Sequence, residues 1–204
     1  MRVWEIPAED IQALCRQAPE YAPLARRFEL AKLVCGEDLF AGIVQSIAGQ
    51  QLSVRAADAI FRRVALTLGT VSAERLLAAD PEELRCCGLS RRKIATMRNI
   101  ASAQCSGAVD LARLAEKSDA EIIAELVKFP GVGVWTAEML LIFCLGRPDV
   151  LSFRDLGIRR GLMKLYDRKT LALADFAAYR KRCSPYGTLA SFYLWRLKDA
   201  EAEN

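Results

Sequence analysis

The sequence contains no histidine, and its seven cysteines form no CxxC pair. Neither a zinc site nor an iron–sulfur cluster therefore has the ligand spacing that it needs. Long apolar runs are also missing, so no segment is predicted to span a bilayer, and the start, MRVWEIPAED, lacks the pattern of a signal peptide. We expect reduced thiols, no contact with a membrane and a cytoplasmic location.

Patterns typical of β-strands are nearly absent. Only RVWEI near the start and DVLSF before Asp155 are candidates for extended structure. Elsewhere apolar residues recur every three to four positions, which predicts helices over residues 39–50, 54–68, 73–79, 81–87 and 91–105. Helix starts are predicted at the N-cap residues Ser53, Ser72, Asp80, Ser90 and Asp110, and helix ends at Gly69, Gly88 and Gly107. The predicted fold class is all-α, and 204 residues suffice for one domain or two small lobes.

The most informative stretch is LVKFPGVGVWTA, residues 126–137, in which one helical pattern ends and another begins. Ser118 and Glu121 form a capping box that predicts the start of the first helix, and Pro130 is predicted to end that helix. The second helix is a nearly continuous apolar run. It should therefore be buried on most sides and end near Gly146.

The turn between these two helices carries Gly131 and Gly133. Without a Cβ they allow positive φ and let a phosphate approach the backbone closely. The start of the second helix adds N–H groups and the positive end of the helix dipole, which favour an anion. A plain connector is the commoner outcome of such turn chemistry on its own. However, Asp155, a lone acid eighteen residues past Ala137, suggests a reaction on a bound nucleic acid.

The net charge of +4 does not by itself indicate a nucleic-acid partner. Basic residues do cluster locally, at positions 26–27, 91–93, 159–160 and 180–182. Any single cluster of this kind is more often a solvated face than a binding patch. The hairpin and the downstream acid are therefore the stronger signal.

Three segments, read together, resemble the helix-hairpin-helix DNA glycosylases of the HhH-GPD superfamily. They are FAGIVQSIAGQQLSVRAADAIFRRV (40–64), the hairpin with its tryptophan, and DVLSFRDLGIRRGL (149–162). The QQLS and GVGVWTA segments are similar to the 3-methyladenine DNA glycosylase II branch. The resemblance implies a two-lobed helical fold with the hairpin, about 118–145, near the lobe boundary. One lobe would cover residues 39–147, and the second would cover 1–38 plus 148–204 and carry the catalytic aspartate.

The resemblance assigns roles to particular positions. Asp155 matches the family's catalytic aspartate. Gln51 matches the residue whose side chain fills the gap left by an extruded nucleotide, and Leu52 is its neighbour. The phosphate-binding hairpin corresponds to Gly131, Val132 and Gly133. Family members also bind a monovalent cation, Na⁺ or K⁺, through hairpin carbonyls that correspond to Val127, Phe129 and Val132.

The base pocket and the reaction type follow from the same resemblance. Trp135 stands where strand-cleaving relatives have a nucleophilic lysine, which implies a monofunctional enzyme. Tyr186 matches an aromatic pocket residue, and Met139 replaces an aromatic residue of the best-known bacterial form. The family's four C-terminal cysteines are missing, so we expect no iron–sulfur cluster and no required cofactor. The short N-terminal segment before the first motif suggests a compact form without a β-rich domain.

The predicted function is excision of alkylated bases, of the 3-methyladenine and 7-methylguanine type, from duplex DNA by base flipping, as the first step of base excision repair. The enzyme would act as a monomer on damaged double-stranded DNA, near the nucleoid if bacterial. Two alternatives stay open: a non-catalytic DNA-binding module, and the same fold acting on deaminated or oxidised bases. Taken singly, Trp135 could be a core tryptophan, Asp155 a helix N-cap, and Gln50, Gln51 and Ser53 a polar junction between helices.

Overall fold

A computed structural model of the chain describes residues 2–30, 32–36 and 38–200. Within these ranges the chain is almost entirely helical, which confirms the predicted fold class. The α-helices are α1 (Ala8–Gln17), α2 (Ala22–Arg27), α3 (Leu39–Gly49), α4 (Val54–Leu68), α5 (Ala73–Ala78), α6 (Pro81–Cys86), α7 (Arg91–Cys105), α8 (Leu111–Leu114), α9 (Asp119–Leu126), α10 (Val134–Phe143), α11 (Leu156–Leu165), α12 (Leu173–Cys183) and α13 (Gly187–Asp199). A 3-10 turn covers Pro19–Tyr21, and two short strands, β1 (Arg2–Glu5) and β2 (Lys32–Cys35), pair antiparallel.

Side-chain caps determine most of the helix starts in the middle of the chain. Each predicted N-cap accepts a hydrogen bond from a backbone N–H of the first turn: Ser53, Ser72, Asp80, Ser90 and Asp110. The predicted helix ends are also confirmed, because the backbone reverses there through positive φ at Gly69, Gly88 and Gly107. Local cap chemistry therefore marks the starts of α4 to α8 and the ends of α4, α6 and α7.

The extended segments differ in part from the prediction. RVWEI does form β1, but DVLSF forms no strand. Its backbone groups bond instead to side chains of α13: the Val150 N–H donates to Thr188 Oγ1 at 3.0 Å, and the Val150 carbonyl accepts from Ser191 Oγ at 2.8 Å. The β2 strand, KLVC, was not predicted.

The chain divides into two compact units. We call Gly36–Leu145 the hairpin unit, since it contains α9, α10 and the turn between them. The remainder, Met1–Cys35 with Gly146–Asn204, is the aspartate unit, which contains Asp155. Each unit has its own buried apolar residues.

In the hairpin unit α10 packs against α3 and α9. Most of its residues are buried, as predicted, although Phe143 is exposed and the helix ends there, before Gly146. The approach of α3 is close at Gly42, where an added Cβ would lie 2.0 Å from Cys144 Sγ. A side chain at position 42 would therefore have to displace the Cys144 thiol.

In the aspartate unit α11 packs against α13. The two helices touch at Gly161, where an added Cβ would lie 2.6 Å from the Leu194 carbonyl oxygen. Ile158 and Leu162 of α11 are fully buried in the same apolar cluster as Leu194. This packing fixes the N-terminus of α11, and Asp155 precedes it directly.

Candidate functional site

The hairpin begins as predicted and turns earlier than predicted. Ser118 and Glu121 form a complete capping box at the start of α9. The helix already ends at Leu126, so the prediction that Pro130 ends it was wrong. The chain tightens into turns first: the Phe129 N–H donates to the Leu126 carbonyl at 3.2 Å, and the Val132 N–H donates to the Phe129 carbonyl at 3.0 Å. The first of these bonds to the third residue back replaces the α-helical pattern before the proline is reached.

The two hairpin glycines serve different purposes. Gly131 has φ of +93°, and an added Cβ would lie 2.2 Å from Thr96 Oγ1. Gly133 has φ of −98°, and an added Cβ would meet nothing within 4 Å. The turn does use the positive φ that a missing Cβ allows, but at Gly131 and not at Gly133, whose backbone is ordinary. Its lack of a side chain instead leaves open space beside the start of α10.

The start of α10 has the features of an anion site. Gly133 is the N-cap residue and makes no side-chain cap. The first N–H groups of a helix lie at the positive end of its dipole, so a negatively charged ligand is stabilised there. Trp135 follows in the first turn and is half-buried. Met139, one turn later, is only 5% exposed.

The turn between α3 and α4 exposes two of the predicted DNA-contacting residues. Gln51 is exposed and has φ of 62°, which is uncommon for a residue with a side chain. Leu52 is 44% exposed. Their neighbours are fixed: Ser53 caps α4, and Gln50 donates from Nε2 to the Gly131 carbonyl at 3.1 Å. The predicted polar junction is therefore present at Gln50 and Ser53: Gln50 connects this turn to the hairpin, and Ser53 connects it to α4.

In the aspartate unit Asp155 is held by two hydrogen bonds to one oxygen. Its Oδ1 accepts from the Ile158 N–H at 2.7 Å, which confirms the residue as the N-cap of α11. The same atom accepts from Trp195 Nε1 at 2.9 Å. The residue is 8% exposed. The carboxylate is therefore fixed in orientation by α11 and by α13.

The loop before Asp155 is fixed by a second carboxylate, Asp149. It accepts from Arg180 Nη1 at 2.8 Å, from Ser184 Oγ at 2.7 Å and from the Gly187 N–H at 3.0 Å. Burial alone would raise the pKa of Asp149, but the hydrogen bonds and the charge of Arg180 outweigh it and hold that pKa below its ordinary value. The ionised carboxylate thus joins this loop to α12 and to the start of α13.

Tyr186 lies at the start of α13. Its N–H donates to the Cys183 carbonyl at 2.6 Å, and its ring is half-buried against the apolar cluster of the aspartate unit. The next residue, Gly187, is held by the hydrogen bond from its N–H to Asp149, and this bond fixes the position of Tyr186. Tyr186 therefore has a defined place, with part of its ring accessible.

The predicted site residues fall into both units. The hairpin unit contains Gln51, Leu52, Val127, Phe129, Gly131, Val132, Gly133, Trp135 and Met139, and the aspartate unit contains Asp155 and Tyr186. Sequence reasoning missed Trp195 and Lys93, and it gave Gln50 no more than a junction role. A buried indole usually needs a partner for its N–H, but the sequence does not show which acid that partner is.

Two features are absent from the described part of the chain. None of its helices combines the length and the apolar character that crossing a membrane would require. Over the same ranges, no group of three or more His, Cys, Asp or Glu side chains is placed to hold a metal ion.

Comparison with known proteins gives concordant matches. The sequence profile of the HhH-GPD superfamily base excision DNA repair proteins matches residues 44–178. DNA-3-methyladenine glycosylase 1 of Schizosaccharomyces pombe is 36% identical over 159 residues, which are 76% of this chain and 70% of that protein. The structure of a DNA-3-methyladenine glycosidase from Bacillus halodurans superposes with a TM-score of 0.81 at 32% identity, over 100% of this chain and 95% of that one. An S. pombe 3-methyladenine DNA glycosylase in complex with abasic DNA gives a TM-score of 0.84 at 30% identity, over 93% and 96%.

Proposed function

Because the chain belongs to the HhH-GPD superfamily of base excision DNA repair proteins, we propose that it is a DNA glycosylase that removes alkylated bases from duplex DNA. The substrates would be bases of the 3-methyladenine and 7-methylguanine type. The observation that carries this proposal is the fixed, largely buried carboxylate of Asp155 in a chain whose relatives are named DNA-3-methyladenine glycosylases.

The hairpin supports binding to the DNA backbone. The start of α10 offers main-chain N–H groups and a helix dipole beside the open space at Gly133. Val132, between the two glycines, is buried and anchors the turn. Contacts of this kind hold a phosphate without reading the base sequence. We therefore expect weak, salt-dependent binding to undamaged duplexes.

Base extrusion is assigned to the turn before α4. Gln51 would fill the space that the extruded nucleotide leaves, and the exposed Leu52 would press against the neighbouring bases. Apolar side chains inserted between base steps unstack them in other DNA-bending proteins. Extrusion costs a few kcal/mol and is easiest for a weakened base pair, which favours damaged sites.

Asp155 supplies the chemistry in this proposal. Breaking the N-glycosidic bond develops positive charge on the sugar, which a fixed carboxylate stabilises, and the same group can orient or deprotonate the attacking water. A base such as 3-methyladenine already carries positive charge and leaves without a proton donor. The absence of histidine from the sequence suits that substrate better than a neutral base.

Trp135 and Tyr186 are the proposed stacking surfaces for the base. Both rings are half-buried, so part of each remains accessible. A cationic ring against an aromatic face is stabilised by up to about 2 kcal/mol when water is excluded. Met139, at 5% exposure, would add a polarisable contact in place of an aromatic wall. With tryptophan at position 135 no imine forms there, so the product would be an abasic site in an intact strand.

A monovalent cation, Na⁺ or K⁺, fits the hairpin carbonyls. Val127 is the C-cap of α9, so its carbonyl lies at the negative end of the helix dipole, which favours a cation. The Phe129 carbonyl accepts one hydrogen bond, from Val132, and a carbonyl oxygen has a second lone pair. With the Val132 carbonyl, these would bind a cation that stiffens the turn. We propose no other cofactor.

The proposed working state is a monomer on damaged double-stranded DNA. Six described cysteines are free thiols, which suits a cytoplasmic location, at the nucleoid if the source is bacterial. The decisive experiment incubates the protein with DNA treated with a methylating agent and identifies the bases released. Release of 3-methyladenine and 7-methylguanine is expected. Binding without any release would favour the non-catalytic DNA-binding module, and faster release of uracil or 8-oxoguanine would favour the other substrate classes.

A further inference from the structure

Helix α7 contacts both segments that the proposed function assigns to DNA binding. Lys93, in its first turn, donates from Nζ to the carbonyl oxygens of Ala48 at 2.8 Å and Gln50 at 2.9 Å. Thr96, on the same face of the helix, donates from Oγ1 to the Pro130 carbonyl at 2.9 Å. One helix of the hairpin unit therefore supports the turn before α4 as well as the hairpin before α10.

The turn that Lys93 contacts has a backbone that needs support. Gln51 has φ of 62°, in the left-handed region that residues with a Cβ disfavour. Such a conformation persists only where the surroundings over-determine it. Lys93 provides part of that support, because its ammonium lies at the C-terminal end of α3. The last carbonyls of a helix lack intrahelical partners there, and the dipole favours a cation.

Gln50 connects this turn to the hairpin through its side chain. Its Nε2 donates to the Gly131 carbonyl and to Thr136 Oγ1, each at 3.1 Å. Because the carbonyl of the same residue accepts from Lys93, Gln50 is fixed at both its backbone and its side chain. A change at Lys93 would therefore be transmitted to the hairpin as well as to Gln51.

Gln51 and Leu52 project from a turn that is fixed on both sides. Leu52 is 44% exposed although its side chain is apolar. Ser53, the next residue, is anchored as the N-cap of α4. A turn that is already ordered in the free protein loses little conformational entropy when it enters the base stack.

We propose that Lys93 is a positioning residue for base extrusion: by binding the carbonyls of Ala48 and Gln50 it holds the Gln51–Leu52 turn in the conformation that enters the duplex. The inference rests on the proposed function, because it concerns how that function extrudes a base. Burial lowers the pKa of the Lys93 ammonium below its ordinary value, and the charge of Arg92 lowers it further. The lowered pKa reflects an ammonium that is partly withdrawn from water, where the two carbonyls replace part of the lost hydration.

The test compares single-turnover release of 7-methylguanine from two duplexes, with the lesion opposite cytosine or opposite thymine. Extrusion is easier from the mismatch. Lys93→Met keeps the unbranched side chain as far as Cε and removes the ammonium with its donors. It should slow release from the matched duplex about tenfold, the size expected from unmade charged hydrogen bonds, and slow release from the mismatch much less. Equal slowing on both duplexes would contradict a role in extrusion.

Three control variants sharpen this comparison. Arg92→Met removes an exposed charge from the same helix and should leave the ratio of the two rates unchanged. Lys93→Arg keeps the charge and the N–H donors, so the ratio of its two release rates should be close to that of the wild type. Lys93→Met combined with Gln51→Ala should be no slower than the slower single variant, because Lys93 acts through Gln51. Additive losses in that double variant would contradict the proposal.

A measurement without DNA separates this inference from the proposed function. The Leu52 N–H donates to the Gly49 carbonyl at 3.1 Å, so its hydrogen exchange reports on the turn. In Lys93→Met that exchange should be about tenfold faster, while exchange at the buried Ile100 in the same helix stays unchanged and shows that the variant is folded. Unchanged exchange at Leu52 would overturn the inference in an active glycosylase. A wild-type protein that releases no base would refute the proposed function, and the exchange would still decide whether Lys93 fixes the turn.

Discussion

The indole Nε1 of Trp195 donates to Oδ1 of Asp155 at 2.9 Å, and the same oxygen accepts the Ile158 N–H at 2.7 Å. These two hydrogen bonds to Oδ1 orient the whole carboxylate group. Gly157 allows this arrangement, since an added Cβ would lie 2.8 Å from Trp195 Cδ1. The proposed catalytic acid is therefore positioned by an aromatic residue of α13.

We expect Trp195→Phe to slow base release about tenfold, since it removes one preorganised hydrogen bond from the carboxylate. DNA affinity should stay unchanged, because Trp195 lies outside the hairpin unit. Single-turnover rates and binding titrations measure the two quantities. Trp4→Phe, the same substitution on β1, is the matched control and should keep the wild-type rate. Equal rates in the two variants would show that Asp155 does not depend on the indole.

Gly133→Asp should separate folding from DNA binding. Aspartate is a preferred N-cap residue, and Gly133 already has the extended backbone and the open space that a cap needs. We expect thermal stability to be unchanged or higher, while DNA affinity falls at least about tenfold because a carboxylate replaces the space for a phosphate. Gly133→Asn is the uncharged control and should bind more tightly than the aspartate variant. Equal affinities for the two would argue against a phosphate at this position.

A substitution at Gly131, unlike one at Gly133, should lower the stability of the protein. Gly131→Ala introduces a Cβ 2.2 Å from Thr96 Oγ1 at a residue with φ of +93°. We expect a loss of about 1–3 kcal/mol in the free energy of unfolding, from strain and from the displaced side chain. Denaturant unfolding measures it. A stability within about 0.5 kcal/mol of wild type, as for an ordinary surface substitution, would show that this turn is not constrained as described.

Asp149 should make stability depend on acidity. Its pKa in the folded protein lies below the ordinary value, so its stabilising effect is complete above the unfolded-state pKa, about 3.9. That effect is lost as the pH falls through the lower folded-state pKa. We expect Asp149→Asn to melt below wild type at pH 7, with a difference that shrinks as the pH is lowered below 4. A difference in melting temperature that stays constant over this pH range would show that the ionised Asp149 carboxylate does not stabilise the fold.

Local signals allowed much of the fold to be predicted. Ser90 as an N-cap and Gly107 as a stop placed α7 at its observed limits, and the capping box placed the start of α9. These features depend on neighbours within one turn of helix. By contrast, the sequence could not show that Gly131 has positive φ and lies against Thr96 while Gly133 has an ordinary backbone and open space, because Thr96 lies far away in the sequence.

Contacts distant in sequence account for what the sequence did not reveal. The bond from Trp195 to Asp155 joins residues 40 positions apart, and that from Lys93 to Ala48 spans 45. Neither pairing leaves a pattern in a single sequence, since Trp195 and Lys93 look like ordinary helix residues. The prediction of extended structure for DVLSF was wrong for a related reason. The side chains of α13 that hydrogen-bond to the Val150 N–H and carbonyl lie far along the chain.

The most direct test of the central claim is single-turnover release of 3-methyladenine and 7-methylguanine from methylated duplex DNA by wild type and Asp155→Asn. Asparagine keeps an oxygen that can cap α11 and accept from Trp195, so the variant should fold and bind DNA normally. The variant lacks the charge, however, so its rate of base release should fall by a factor of at least roughly 10²–10³. A variant that binds DNA and releases neither base at a measurable rate is the expected result, and near wild-type release would contradict the assignment of Asp155 as the catalytic residue.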